Sequence, residues 1–462
     1  MSDERYRATL ERLFQLRRFG MRPGLEVIHA LLGALDHPER SFRAIHVTGS
    51  KGKGSVAAMA GQILAAGGAR VGLFTSPHLR SFRERIRFRG RPISKSAVVD
   101  GVRRVDALAA QLVGAGTIDR SPTFFEITTA LAFDWFRDRD VDHAVIEVGL
   151  GGRLDSTNVL NAPVGVVTTI ELEHTEVLGP TLTDVAREKS GILHLGMRGV
   201  VGELGTEASR EVERCASVAG VPLLHLGREI RVDDRVIDPK GQTFTVTTLR
   251  GRREGVRIPL QGIFQPGNAA LAVAATEEYA HATEFRLTDA AVREGLRSVR
   301  WRGRLERAAA RPDLYLDVAH TPESARAVAQ SLAEIYPFLE PTENVVLFGC
   351  LGDKQVGSIF EHLALLARTL VVVPLAPDRA MPVAALKRAG TGLFAKIVVA
   401  PDVPTGLTLA RAATGADGFT LAVGSDYLIG DVLRILEGPG DREPDLSDPA
   451  AAPAATSAGG RS

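Results

Sequence analysis

The chain has 462 residues, 45% of them hydrophobic and 24% charged, the make-up of a soluble globular protein long enough for two or three domains. Its 56 basic and 55 acidic residues leave a net charge of +1, which argues against a general nucleic-acid binder but leaves room for a local basic pocket. Two cysteines, Cys215 and Cys350, exclude a disulfide scaffold and fit a reducing cytosol. The N-terminus is too polar for a signal peptide, and no apolar run approaches the roughly 18 residues of a membrane helix, so a cytoplasmic protein is expected.

Residues 4–18 and 24–35 show apolar positions at helical spacing. An apolar segment, Phe42 to Val47, runs into the glycine-rich TGSKGKGS of 48–55; a helix pattern, AAMAGQILAAGG, and a strand pattern at 70–76 follow. That is a β–loop–α–β unit of a parallel sheet. A helix over 123–138 precedes strands at 143–149 and 164–170, and the stretch 219–226 extends the alternation. Residues 229–258 switch to short alternating segments with turn residues, predicting a small antiparallel patch, and 268–281 form an Ala-rich helix. A second α/β alternation has strands at 314–319, 344–350, 369–375, 396–400 and 419–424. Continuous apolar strands such as LVVVPL point to a sheet covered on both faces. The expectation is a P-loop-type parallel-sheet domain over 1–297, a smaller Rossmann-like domain over 298–437 and a disordered tail over 438–462, whose Pro, Ala, Gly and Ser cannot build a core.

The segment Gly49-Ser50-Lys51-Gly52-Lys53-Gly54-Ser55 follows a strand and opens a helix. Glycines let successive amides wrap a phosphate, and the helix start favours its charge. Lys53 can meet the outer phosphates and the Ser55 hydroxyl can ligate magnesium, although the generic pattern places Ser or Thr directly after the lysine and this chain has Gly54 there. Glu147 ends a predicted parallel strand, where α/β proteins bind ligands, and with Ser55 offers the hard oxygens magnesium prefers. His174 and Lys189 fall on the same predicted edge; taken singly, such residues more often make surface or core contacts. The chain holds 48 Arg and eight Lys, and three of the eight, Lys51, Lys53 and Lys189, lie in these motifs. Arg cannot lose its proton or act as a compact point charge; codon bias with chance survivors is the plain alternative.

The segments HVTGSKGKGS, GLFTSPHLRSFRERIR, TFFE, EVGLGGRLDSTNV, LEHTEVLG, AREKSGI and GRLE occur in this order. Together they resemble folylpolyglutamate synthase and the bifunctional dihydrofolate synthase of the Mur-ligase superfamily over residues 20 to 437. The resemblance implies ligation of L-glutamate to dihydropteroate, tetrahydrofolate or both, with ATP and two Mg2+, through an acyl phosphate. By family pattern Ser55 and Glu147 hold one magnesium, and Glu147, His174 and Lys189, carbamylated on its amine, hold a second. Asn268, Arg304 and Asp317 match nucleotide contacts; Lys53, His174, Lys189 and His320 are the expected catalytic set. Arg83, Thr123, Phe125 and Asp155 match the pterin side, where an aromatic can stack on a flat heterocycle, although Phe125 reads equally as core. A monomer with no nucleic-acid or membrane partner is implied.

The chain departs from the family at Ser50-Lys51, Glu173, Val318, Thr321, GCLGDKQ (349–355) and GSDYLIG (424–430), most of them in the second domain, where the amino acid is expected to bind. Two alternatives follow: a paralogous ligase joining another amino acid to another carboxylate, and a nucleotide-binding protein that has lost catalysis.

Overall fold

The computed structural model describes residues 3–16, 24–338, 340–352, 354–376 and 380–438. The end of the first predicted helix and the predicted tail, apart from Gly438, lie outside the described residues.

Sheet one is assembled around β1 (Arg43–Thr48). It contains β2 (Val71–Phe74), β3 (Ile86–Phe88), β4 (Arg91–Pro92), β5 (His143–Glu147), β6 (Val164–Val167), β7 (Arg198–Val201) and β8 (Leu223–His225), in the order β4-β3-β2-β5-β1-β6-β7-β8. β3 and β4 are an antiparallel edge; the other six strands are parallel. Strand periodicity divides the core. On β1, Ile45 and Val47 face one layer, and Ala44 and His46 face the other.

The Ala44 side is covered by α1 (Asp3–Gln15), α2 (Glu26–Ala34), α4 (Lys95–Gly114) and α5 (Phe124–Asp138). The Ile45 side receives α3 (Lys53–Ala66), α9 (Gln265–Thr283) and α10 (Asp289–Ser298). α3 and α9 are small-residue helices buried nearly all round, as a helix sandwiched between layers must be. Between these runs of chain lie the four-residue α6 (Thr175–Leu178), then α7 (Leu182–Ser190) and α8 (Thr206–Ala219). The predicted antiparallel patch is sheet two: β9 (Arg231–Asp238), β10 (Gly241–Thr248) and β11 (Gly251–Ile258) in the order β11-β10-β9, packed on α9.

Sheet three has the order β12-β13-β17-β14-β15-β16, made of β12 (Glu306–Ala309), β13 (Asp313–Asp317), β14 (Val345–Phe348), β15 (Thr369–Val372), β16 (Lys396–Val399) and β17 (Phe419–Val423). Only β12 is antiparallel. Its faces carry α11 (Pro322–Ile335), α12 (Val356–Leu363) and α13 (Val383–Gly390) on one side, and α14 (Val403–Ala413) and α15 (Asp426–Glu437) on the other, each over its own apolar cluster. The fold is α/β throughout, as expected. The antiparallel edges are additions the alternation did not reveal, since two- to four-residue strands carry no readable period. No helix among the described residues is long and apolar enough to cross a membrane.

The two α/β units meet at a loop as well as at the linker. Leu79 lies against Val318, Ile429 and Gly303, and a Cβ on Gly430 would stand 2.3 Å from the Leu79 carbonyl oxygen. Glu437 at the end of α15 receives both Arg80 and Arg302.

Candidate active site

In sheet one, β1 is flanked by β5 and β6, and its chain leaves over α3 to β2 on the far side of β5. The ends of β1, β5 and β6 thus surround the crevice at which the strand order reverses, the usual ligand position in such sheets. The loop 49–52 occupies that crevice. Its shape is set by β6: the Ser50 amide donates to the Thr169 carbonyl at 2.8 Å, the Lys51 amide donates to Thr169 Oγ1 at 2.8 Å, and Thr168 Oγ1 donates to the Lys51 carbonyl at 2.5 Å. Gly49 has φ +142°, and any Cβ there would fall 2.0 Å from Thr168 Oγ1. With these bonds made, the amides that open α3 stay free of helical partners and face the loop as an anion cradle.

Lys53 Nζ folds back on the Gly49 and Ser50 carbonyls at 2.7 and 3.3 Å. Ser55 is buried and accepts from Gln265 Nε2 at 3.3 Å; Gln265 Oε1 in turn accepts from Asn268 Nδ2 at 3.1 Å. Asn268 therefore stands beside the loop itself, its Oδ1 2.6 Å from where a Gly52 Cβ would be. The unusual Gly54 has a steric reason. A Cβ there would meet the Trp301 ring at 3.0–3.3 Å, and the Arg87 guanidinium lies over that ring at 5.6 Å.

Glu147 is 4% exposed, and its Oε2 accepts from the Ser76 amide at 3.0 Å. Burial pushes its carboxyl up to about 7, against the pull of Lys53, the Ser76 amide, Arg304 and Arg85. His174 holds left-handed backbone, φ 48° and ψ 41°, at the start of α6, a strained conformation of the kind found at functional sites. Lys189 is buried near the end of α7, with Nζ 3.0 Å from Glu173 Oε1. Burial pulls the Lys189 amine down, opposed by Glu173. Lys189, Lys53 and Lys51 hold the Glu173 carboxyl low although burial works against them.

From the second unit, Asp317 accepts from the Leu305 and Ala319 amides at 2.7 and 2.8 Å; burial pushes it up to about 6 against the pull of Arg304. His320 Nδ1 donates to the Val318 carbonyl at 2.8 Å, which leaves the lone pair on Nε2. Burial pulls this imidazole down to about 4, with Lys51, Lys354 and Arg304 acting in the same direction. The ring is neutral near pH 7.

On the other side of β5, Phe125 lies against Gly149, whose Cβ would stand 2.5 Å from the ring, and 5.8 Å from the Phe74 ring. Asp155 accepts from Thr157 Oγ1, the Thr157 amide and the Leu150 amide at 2.6, 3.0 and 2.9 Å; burial pushes it up while these bonds hold it down. Thr123 is engaged as the N-cap of α5, in a capping box with Glu126. Arg83 Nε donates to the Ile93 carbonyl at 2.6 Å.

The loop 149–158 is shaped by packing. A Cβ on Gly152 would come 2.7 Å from the Lys189 carbonyl oxygen and 2.8 Å from that of Glu188, so only glycine lets this loop close on the end of α7. Asn158 Nδ2 ties Arg153 to Gly191 through their carbonyls at 3.1 and 3.0 Å.

Sequence reasoning missed Ser76, Thr168, Thr169, Gln265 and Trp301. Two threonines closing an otherwise apolar strand were a readable signal for Thr168 and Thr169; the others act across long sequence separations.

Family models match at residues 47–276, described as Mur ligase middle domain, and 303–425, described as Mur ligase, glutamate ligase domain. The chain is 36% identical over 391 residues to the folylpolyglutamate synthase of Lacticaseibacillus casei, covering 82% of this chain and 90% of that one. It is 38% identical over 384 residues to the dihydrofolate synthase/folylpolyglutamate synthase of Mycobacterium tuberculosis, covering 80% and 78%. The Mycobacterium tuberculosis folylpolyglutamate synthase complexed with ADP superposes with a TM-score of 0.87 at 32% identity, covering 95% of this chain and 99% of that one. Escherichia coli FolC in complex with DHPP and ADP superposes with a TM-score of 0.81 at 27% identity, covering 93% and 97%. Identity spread over both α/β units, on a fold shared almost end to end, makes this chain a ligase of the folylpolyglutamate synthase/dihydrofolate synthase family, within the Mur ligases.

Proposed function

We propose that this protein joins L-glutamate to dihydropteroate, tetrahydrofolate or both, in an ATP-dependent reaction through an acyl phosphate. The single observation that supports the reading is the set of charges gathered about the phosphate loop: Lys53 acts on Glu147, Glu173, His174 and Lys189, and Arg304 acts on Glu147 and His320. A carboxylate is a poor acyl donor, and phosphorylation gives it a leaving group. The chain's part is to hold the triphosphate on the α3 amides and to set Lys53 and Arg304 against the charge that develops on the transferred phosphoryl group. The amine of glutamate then displaces phosphate, and His320 Nε2, neutral and unprotonated, is a proton acceptor for it. The two units together exclude water that would hydrolyse the acyl phosphate.

The residues fit magnesium. A carboxylate as buried as Glu147 is kept ionised best by a cation, and Ser55 adds a hydroxyl oxygen. Among the described residues no three His, Cys, Asp or Glu side chains form a cage, so the ATP phosphates would supply further ligands. Glu147, His174 and Lys189 would hold a second ion once Lys189 carries a carbamate; as an ammonium paired with Glu173 it offers no lone pair. A lowered amine favours that modification, which needs the neutral form. Bound magnesium would neutralise phosphate charge. Residues 1–297 would bind ATP and the pterin against Phe125 and Asp155, with Arg83 and Thr123 held nearby by their own backbone bonds. Residues 298–437 would bind the amino acid and complete the nucleotide site, in a monomeric cytoplasmic enzyme.

The test is phosphate release from ATP and magnesium with glutamate plus dihydropteroate, and separately plus tetrahydrofolate, with mass spectrometry for one added glutamyl unit. Silence with both pterins while ATP binds would favour a paralogue for another amino acid or acceptor. Glu147→Gln and Lys189→Ala should each abolish ligation; near-normal turnover in either would overturn the metal assignment. Carbamylation should appear as a 13C carbamate signal after incubation with 13C-bicarbonate, absent in Lys189→Ala.

A further inference from the structure

His46 and Thr48 lie two residues apart on β1 and project from the same face of the sheet. Both reach the loop 149–158. Thr48 Oγ1 donates to the Gly151 carbonyl at 2.6 Å, and His46 Nε2 lies 2.8 Å from Thr157 Oγ1. The neighbouring bond fixes the direction of the second one. The Thr157 hydroxyl has one proton and stands 2.6 Å from Asp155 Oδ1, which as a carboxylate only accepts. That proton goes to Asp155, so Thr157 Oγ1 accepts from His46 Nε2–H. His46 Nδ1 is left as a lone pair, buried without a partner.

The arrangement is costly for a residue that only fills space. His46 is fully buried in an apolar layer, with an unpaired acceptor that a leucine would not have. What the imidazole adds is a donor, and the donor leads to Asp155. With Thr157 on Oδ1 and the Leu150 amide on Oδ2, the carboxylate cannot rotate, and Leu150 adjoins Gly149, the residue under Phe125.

We propose that His46 is a positioning residue for the acceptor substrate: through Thr157 it holds the Asp155 carboxylate and the loop 149–158 in the register that receives a flat, amino-substituted heterocycle against Phe125. It touches neither substrate nor nucleotide. The strand that delivers the phosphate loop thereby also sets the acceptor pocket. This rests on the reading of Phe125 and Asp155 as pocket residues.

The experiment measures KM for the pterin substrate and KM for ATP in His46→Leu, His46→Gln, Thr157→Val and Asp155→Asn, each first shown by thermal melting to be folded at the assay temperature. His46→Leu should raise the pterin KM up to about tenfold, the upper end for one lost hydrogen bond between neutral groups, with the ATP KM within about twofold. His46→Gln, which keeps a donor, should recover most of the loss. Thr157→Val, which also removes the hydroxyl bond to Asp155, should raise the pterin KM at least as much, and the double variant should be no worse than Thr157→Val alone. The proposal falls if His46→Leu leaves the pterin KM unchanged, shifts both KM values alike, or is not rescued by glutamine. If His46→Leu does not fold, His46→Asn, too short to reach Thr157 Oγ1, takes its place on the same two KM values. An unchanged pterin KM in Asp155→Asn would overturn the pocket reading itself; a raised one with a silent His46→Leu would overturn only the relay.

Discussion

Gly152→Ala is a single methyl group placed where the loop 149–158 closes on the helix that carries Lys189. The added Cβ would lie 2.7 Å from the Lys189 carbonyl oxygen, 2.8 Å from the Glu188 carbonyl oxygen and 3.0 Å from Ile192 Cγ2. Ordinary carbon-to-oxygen contacts are about 3.3–3.6 Å, so about half an ångström is missing against two backbone atoms that no rotamer change can move. Overpacking of this kind costs about 1–3 kcal/mol, and the rigid neighbours put it in the upper half of that range. At about 2 °C per kcal/mol for a unit of this size, the midpoint of thermal unfolding should fall by about 4–6 °C. The part displaced is the last turn of α7, so kcat should fall by one to two orders of magnitude, as for about 1 Å of misplacement at a catalytic group. Calorimetry and the phosphate-release assay read the two effects. Gly205→Ala is the control, because its Cβ would meet nothing within 4 Å and its φ is an ordinary −62°. A Gly152→Ala protein that melts with the wild type and turns over normally would refute the claim that this glycine is required for the approach of loop to helix.

Gly54→Ala should favour the α3 helix by at most about 1 kcal/mol, yet crowd the Trp301 ring, 3.0–3.3 Å from the new Cβ, in the segment that carries Arg304 three residues on. The expected result is a drop of more than about tenfold in kcat/KM for ATP, partly restored by adding Trp301→Leu; no restoration would refute the steric account. His46 is held neutral, burial pulling its imidazole down to about 3 with His194 acting the same way. A group depressed on folding contributes stability that is complete above its unfolded value near 6.5 and is lost as pH falls below it. At pH 5 that loss is about 2 kcal/mol, so His46→Gln should show a shallower decline of stability between about pH 6.5 and 4; parallel curves in urea unfolding would contradict it. Glu437→Ala removes a partner shared by Arg80 and Arg302, which keeps Glu306, and such exposed pairs are worth about 0.2–1 kcal/mol each, so activity should fall no more than a few-fold and the gap to wild type should narrow in high salt. Gly430→Leu, whose Cβ would stand 2.3 Å from the Leu79 carbonyl, should instead abolish turnover. Equal effects of the two changes would refute the view that close packing rather than charge seats the second unit.

The α/β alternation, the phosphate loop between β1 and α3, and the antiparallel segment at 229–258 were legible because each is written in local spacing: period two, period three to four, glycines and turn residues. The same local chemistry held a signal that a family reading passes over. Thr123-Phe124-Phe125-Glu126 is a capping box, and the structure uses Thr123 to start α5. The helix α4 is hard to read in the sequence although Ser94 caps it, because its apolar stripe is diluted by charged residues.

What the chain alone determined about this protein is therefore its set of elements, its loop for a phosphate and the ligase family it belongs to. Those rest on interactions between residues near in sequence, or on long ordered motifs. Only tertiary structure decided what those residues meet: Thr168 and Thr169 shaping the loop more than a hundred residues away, Trp301 explaining Gly54, Glu173 paired with Lys189, and His46 reaching Asp155 through Thr157. Such contacts depend on which strands lie side by side and on a few tenths of an ångström of packing, and neither quantity has a period that a sequence can show.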